Sequence, residues 1–197
     1  MKNVFCVLIL VFVSAITLSA QEYRLAFLSH SIIHPGVSVA RSFTLSEKIK
    51  VKEKKKGEKE IGKSNLFLPQ INYHNVLKTE NSFSIGAEII RQRHRMKPAN
   101  WTFETGFGVH YVRSFNAGKT FTIENGEVRR VRFAGNNFIA PSLSYSIGRT
   151  FYKNESMPWF FYLKPQVFAV LPYNGSFVPS VNFQIGTKKV LNFKKHE

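Results

Sequence analysis

Residues 160–188 read FFYLKPQVFAVLPYNGSFVPSVNFQIGTK, and they carry the clearest secondary-structure pattern in the chain. Apolar and polar residues alternate on both sides of Asn174-Gly175, a dipeptide that favours a tight hairpin turn because both residues tolerate a positive φ. Alternation with a period of two over about ten residues is typical of a strand with one apolar and one polar face. The stretch therefore predicts a β-hairpin, whose apolar face either packs in a core or contacts lipid.

The same alternation recurs along the rest of the chain. It predicts strands over 34–45, 65–77, 83–89, 100–111 and 139–149. Residues 119–132 are also strand-like, but Asn125-Gly126 within them allows this segment to fold on itself as a hairpin. The sequence thus predicts about eight antiparallel strands, with connections that are alternately long and short.

The first twenty residues have the features of a secretory signal. Lys2 precedes an apolar run from Val4 to Ile16, and Ala20 supplies a small residue at the cleavage point. We therefore expect residues 1–20 to be a signal peptide that is removed on export, and residues 21–197 to be a single domain. Cys6 is the only cysteine and leaves with the leader, so the mature chain forms no disulfide.

The two faces of the predicted strands differ in size as well as polarity. The polar face carries mainly Ser, Gly, Asn, Gln and Thr, whereas the apolar face is bulky and the charges concentrate in the basic segments 46–64 and 91–98. A narrow eight-stranded barrel has room inside mainly for small side chains. A closed barrel also pairs every backbone group, as a membrane requires. The pattern therefore favours a barrel whose apolar face contacts lipid.

Aromatic residues near the strand ends fit the two belts that flank the lipid band of such barrels. With a periplasmic N-terminus, the outer belt is expected to hold Phe43, Phe67, Trp101, Phe138, Tyr173 and Phe177. The inner belt is expected to hold Tyr73, Phe83, Tyr111, Phe151, Tyr152 and Trp159. This arrangement makes the basic segments extracellular and the short turns periplasmic.

With its leader, its strand pattern and strand entries such as Pro158-Trp159-Phe160-Phe161-Tyr162-Leu163-Lys164-Pro165, the chain resembles the small outer-membrane β-barrel proteins of Gram-negative bacteria. The resemblance implies an all-β, antiparallel up-and-down transmembrane barrel of about eight strands in the outer membrane. It implies a structural or surface-interaction role at the cell surface, with no open pore, no enzymatic activity and no cofactor. A secreted soluble barrel that binds a small apolar ligand is the alternative, and a lipopolysaccharide-modifying, deacylase-like barrel enzyme is the third.

Five ionisable residues fall on the polar face of the predicted strands. If that face lines the lumen, an ion-paired polar network is expected, because isolated buried charges are costly. The same network would also suit a polar site or a proton-linked gate. The five residues are Glu88, Glu104, His74, His110 and Lys164.

The formal net charge of +16 indicates a polyanionic neighbour. Export disfavours nucleic acid and leaves outer-membrane lipid and lipopolysaccharide as the expected partners, while no feature indicates a protein partner. We interpret the basic segments as loops that together contact this anionic surface. The residues concerned are Lys52, Lys54, Lys55, Lys56, Lys59, Arg91, Arg93, Arg95 and Lys97.

The enzyme alternative rests on one short stretch. Residues 110–117 faintly resemble the His-x-Ser-Asn-Ala stretch of lipopolysaccharide deacylases, but Ser114 follows His110 by four residues. Four residues of an extended strand span about 13 Å, which is too far for a nucleophile and its base to touch. The scattered histidines and the lack of thiols in the mature chain indicate no metal site.

Overall fold

The computed structural model describes residues 22–30, 34–54, 57–76, 80–95, 101–116, 118–124, 126–131, 134–151, 159–173 and 176–190. These residues form strands β1 (Glu22–His30), β2 (His34–Lys54), β3 (Gly57–Val76), β4 (Glu80–Arg95), β5 (Trp101–Asn116), β6 (Thr120–Glu124), β7 (Glu127–Val131), β8 (Asn137–Phe151), β9 (Trp159–Tyr173) and β10 (Ser176–Val190). The expected signal peptide lies outside the described residues. No helix within the described ranges is long and apolar enough to cross a membrane.

Eight of the strands close into a barrel in the order β1-β10-β9-β8-β5-β4-β3-β2. All neighbouring strands are antiparallel, and β1 closes the ring by pairing with both β2 and β10. The hairpin at Asn174-Gly175 corresponds to β9 and β10, which pair in register from Val170–Val178 to Trp159–Lys189. The predicted all-β, up-and-down barrel of eight strands is confirmed.

One of the eight strands differs from those that the sequence predicted. Strand β1, over Glu22–His30, was not predicted, because it is short and directly follows the leader. Within residues 119–132, Thr120–Glu124 and Glu127–Val131 do not join the barrel and form the separate β6–β7 hairpin, and Gly126 between them has a φ of 81°. The hairpin alternative for this segment is therefore the one that the structure shows.

The extra strand at the start changes which loops share an end of the barrel. Both Glu22 and Val190 lie at one end, together with the β2–β3, β4–β5 and β8–β9 connections. We call this the terminal end and its opposite the far end. The basic segments thus lie at the same end as Glu22, and a periplasmic N-terminus cannot be combined with extracellular basic segments.

The aromatic belts are regrouped by the same change. Phe43, Phe67, Trp101 and Trp159 lie toward the terminal end. Tyr73, Phe83, Tyr111, Phe138 and Phe177 lie toward the far end. The predicted belts mixed these two sets. Because β1 was not predicted, each strand before residue 119 was assigned the wrong direction relative to the strands after it. The side chains of Phe151, Tyr152 and Tyr173 lie outside the description.

The basic segments are largely strand, and the prediction of loops was wrong. β2 and β3 remain paired out to Lys54 and Gly57, twelve residues beyond the level of Glu22, or about 40 Å of strand. Lys and Glu are depleted in strands, which is why this run predicted a loop. Lys52, Lys54 and Lys59 belong to these strands at the level of the backbone, Arg91, Arg93 and Arg95 belong to β4, and Lys55, Lys56 and Lys97 lie outside the described residues.

The barrel is mainly polar inside, with smaller apolar clusters such as that of Leu66, Leu68 and Ile90, and it is apolar outside. Buried side chains include His110, Gln166 and Lys164, each at most 2% exposed. Outward side chains include Leu143 at 64% and Phe107 at 56% exposure. This distribution is the reverse of that of a soluble domain, in which large apolar side chains are mostly inside.

Candidate functional site

The charged side chains of the lumen form two clusters. The Glu104 cluster, near the terminal end, holds Glu22, Arg24, Glu104 and Lys188. The guanidinium of Arg24 donates two hydrogen bonds to the Glu104 carboxylate, at 2.7 and 3.0 Å. Lys188 Nζ lies 3.2 Å from both a Glu104 and a Glu22 carboxylate oxygen. Two cations therefore neutralise two carboxylates, and the Arg24–Glu104 pair has the strong bidentate geometry.

The Arg24–Glu104 pair crosses the barrel. β1 and β5 are four strands apart in either direction around the ring, so they face each other across its diameter. Both side chains are almost fully buried. The pair therefore fills the lumen near the terminal end.

The Glu88 cluster lies deeper in the barrel. Glu88 Oε1 accepts hydrogen bonds from Lys164 Nζ at 2.8 Å, Gln70 Nε2 at 2.7 Å and Gln166 Nε2 at 2.8 Å. Its other oxygen accepts from Ser144 Oγ at 2.8 Å. With four donors and one paired cation, the carboxylate is well satisfied, as a buried charge must be.

His110 borders the Glu88 cluster. Its Nε2 lies 3.9 Å from Glu88 Oε1 and within 3.4 Å of the amide nitrogens of Gln70 and Gln166. The ring of Phe168 meets the imidazole edge-on, with the ring centres 5.0 Å apart. His110 is thus held by polar contacts on one side and by an aromatic ring on the other.

The five residues that the sequence singled out all lie inside the barrel, in different places. Glu88, His110 and Lys164 come together in the Glu88 cluster. Glu104 belongs to the other cluster, and His74 is buried on β3, four residues from Gln70 toward the far end.

Sequence reasoning missed Glu22, Arg24, Lys188 and the two glutamines. Arg24 alternates with Tyr23 and Leu25, so recognising β1 as a strand would have placed it in the lumen.

Glycines on β5 make room for the Glu88 carboxylate. A Cβ added to Gly106 would lie 2.5 Å from Ser144 Oγ and 2.8 Å from Glu88 Oε2. A Cβ on Gly108 would also press against Glu88. The absence of side chains at these two positions allows Glu88 to reach its partners on β8 and β9.

Gly106→Ala is expected to lower the free energy of unfolding by about 1–3 kcal/mol, because a methyl group there overfills a packed interior. Urea unfolding in detergent micelles, followed by the fluorescence of Trp101 and Trp159, measures the change. Gly118→Ala is the matched control, since a Cβ at Gly118 meets nothing within 4 Å. Equal effects of the two substitutions would contradict the tight packing of Glu88.

The residues behind the enzyme alternative are not brought together. His110 and Ser114 both point into the lumen from β5, four residues apart. Ser114 Oγ accepts a hydrogen bond from the backbone N–H of Asn136 at 3.2 Å, whereas His110 contacts the two glutamines. Over the part of the chain that the structure describes, no group of three or more His, Cys, Asp or Glu residues is placed to hold a metal ion.

Comparison with known proteins finds similarity to a solved structure. No protein-family model matches the chain, and no curated protein matches it. The crystal structure of Neisserial surface protein A (NspA) aligns with 87% of this chain and 97% of its own, at 10% sequence identity and a TM-score of 0.43. The strand pairing of the chain itself defines its fold.

Proposed function

We propose that the protein is an integral outer-membrane barrel, exported with a cleaved signal peptide, with a structural or surface-interaction role and a closed lumen. The observation that carries this proposal is the distribution of side chains, with apolar groups on the outside of the barrel and mainly polar groups on the inside. Leu143, Phe107 and Ile185 point outward at 56–64% exposure, while charged and amide side chains fill the interior. In water such a wall would be an exceptionally large exposed apolar patch. In a bilayer the same apolar side chains would contact the hydrocarbon chains of the lipids.

The apolar band has the height of a bilayer core. On β5 the outward residues Phe103 to Tyr111 extend about 26 Å along the strand, or roughly 20 Å at the usual tilt of barrel strands. Together with the aromatic residues at its borders, this is comparable to the ~25 Å lipid-facing band of transmembrane barrels. Tyr23 and Trp159 lie at one border of the band, and Tyr73 and Tyr111 lie at the other, where an aromatic belt is expected.

A closed lumen is supported by the two charged clusters. Arg24 and Glu104 connect opposite walls, and Glu88 is joined to Lys164 across the interior. A soluble barrel for an apolar ligand would need an apolar cavity in place of these side chains. An acyl-removing enzyme would need a nucleophile beside a base, which His110 and Ser114 do not provide.

The terminal end is proposed to face outward. It carries the 46–64 hairpin, whereas three of the four far-end connections, 31–33, 77–79 and 174–175, contain only two or three residues each, and the fourth, 117–136, contains β6 and β7. Transmembrane barrels have short periplasmic turns and longer extracellular loops. This orientation brings the basic segments and both ends of the barrel sheet to the cell surface, beside lipopolysaccharide, which we propose as a partner.

Cell fractionation tests the proposed function. The protein is expected to stay with outer membranes after a carbonate wash and to migrate differently on a gel when the sample is not boiled. Both results follow from a closed barrel whose backbone groups are all paired in lipid. Recovery of the protein as a soluble periplasmic species would refute the proposal.

A further inference from the structure

The outer wall of the barrel changes from apolar to basic near the terminal end. On β4 the outward residues Ile85 and Ile89 are followed by Arg91, Arg93 and Arg95. Lys63 lies opposite Arg93 on β3, and Phe103 lies opposite Arg93 on β5. We call Lys63, Arg91, Arg93, Arg95, Phe103 and Tyr145 the outer-wall patch.

The patch contains two shallow depressions on its surface. One, of about 230 Å³, is lined by residues that include Lys63, Arg91, Arg93 and Phe103. The other, of about 380 Å³, is lined by Arg93, Arg95, Phe103 and Tyr145. Phe103 lines both, so the cations surround an aromatic surface at the border of the apolar band. A cationic rim over an apolar floor matches an amphiphile that has an anionic head.

The charges of the three arginines are not neutralised by the protein. Among the described residues, no carboxylate lies within ion-pair distance of Arg91, Arg93 or Arg95. The buried cations Arg24 and Lys188, by contrast, both have carboxylate partners. The positive charge of these three arginines is therefore available to a ligand.

The spacing of the arginines indicates what kind of anion fits. Arg91 and Arg95 are four residues apart on one strand, about 13 Å in extended backbone. Arginine side chains are long enough for neighbouring guanidinium groups to share one phosphate, but a headgroup with two or more phosphates can engage all three arginines at once. Guanidinium groups match phosphate oxygens in bidentate geometry, and the strand holds their backbone positions fixed.

We infer that the outer-wall patch binds the phosphates of a lipid headgroup that carries at least two of them, with its acyl chains lying along the apolar band beside Phe103. In the orientation proposed above, this lipid is lipopolysaccharide. The inference rests on the proposed function and assigns the lipid contact to a rigid strand face, where the sequence had predicted loops.

The test compares two triple variants with equal changes in charge. Arg91→Gln, Arg93→Gln and Arg95→Gln together remove three positive charges from the patch, and Lys119→Gln, Arg129→Gln and Arg130→Gln together remove three from the β6–β7 region at the far end. Binding of lipopolysaccharide, cardiolipin and phosphatidylglycerol is measured by titration calorimetry on the full mature protein in zwitterionic micelles. The patch variant should bind lipopolysaccharide about tenfold more weakly, since modest surface charges act together there, and the control should bind normally.

Salt dependence and conservative replacement test whether the binding is electrostatic. Binding by the unmodified protein should weaken as salt rises, because exposed charges are screened beyond about 8 Å at physiological ionic strength. Replacing the three arginines by lysines should restore part of the affinity, which a purely structural effect would not allow. The unboiled gel shift verifies that each variant is folded.

Equal weakening in both triple variants, or equal affinity for phosphatidylglycerol and lipopolysaccharide, would overturn the inference. If the protein bound cardiolipin but not lipopolysaccharide, the patch would still bind a headgroup with two phosphates, but lipopolysaccharide would be refuted as its lipid. Failure of the proposed function is a separate result, because the carbonate wash tests membrane integration and calorimetry tests lipid binding. A protein that leaves the membrane on carbonate washing refutes the proposed function without any lipid titration.

Discussion

Replacing Glu104 by leucine is expected to lower the free energy of unfolding by about 3–5 kcal/mol, the cost of breaking a buried ion pair. Arg24 and Lys188 would remain buried in the lumen with Glu22 as the one carboxylate left in their cluster. Urea unfolding of the protein refolded into detergent micelles measures the loss. A decrease below about 1 kcal/mol, the range of exposed pairs, would show that the cluster is hydrated and weak.

Two further variants separate charge burial from the loss of any carboxylate. Glu127→Leu removes a carboxylate that pairs with Arg129 at 3.0 Å on the exposed β6–β7 hairpin, and its cost should be at most about 1 kcal/mol. Arg24→Met combined with Glu104→Leu should recover much of the single-variant loss, because Lys188 and Glu22 then remain as a matched pair.

Leu143→Arg is expected to destabilise the membrane-inserted protein by about 2–4 kcal/mol, the cost of a cation at the midplane of the lipid face. Leu143 lies directly opposite Phe107 in the middle of the apolar band and is 64% exposed. If this wall were in water, the same change would be almost neutral. Unfolding in lipid vesicles gives the magnitude, and the amount retained in outer membranes reports the effect in cells.

Ile123→Arg is the matched control for Leu143→Arg. Ile123 is 74% exposed on the β6–β7 hairpin, which is not part of the barrel wall. A surface substitution there should change stability by less than about 0.5 kcal/mol. If the two arginine variants were equally well tolerated, the outer wall would not face lipid, and the membrane proposal would be lost.

The sequence predicted which way side chains point better than which strands are neighbours. Alternation correctly predicted that Glu88 and His110 share a face opposite to that of Phe107, because side-chain direction in a strand is a local property. Alternation carries no information about pairing between distant strands. The bond between Arg24 and Glu104 could therefore not be predicted while β1 was missing.

Two errors in the predicted strands cancelled in the number of strands but not in the topology. Omitting β1 and counting residues 119–132 as a barrel strand still gave eight, yet every strand before residue 119 was assigned the wrong direction relative to those after it. The basic hairpin was missed for another reason: Lys and Glu disfavour strands locally, whereas the structure continues the β2–β3 ladder through them.

The Arg24–Glu104 bond also bears on the order of assembly. Its partners are 80 residues apart in sequence, and contacts over such separations form late because the intervening chain must first lose its freedom. Until the sheet has curled far enough for β1 and β10 to face β5, Glu104 lies apart from both Arg24 and Lys188, and carrying an unpaired charge into hydrocarbon is costly. Charge neutralisation and ring closure are thus one step, which penalises insertion of a half-curled sheet and favours a barrel that enters the bilayer already closed.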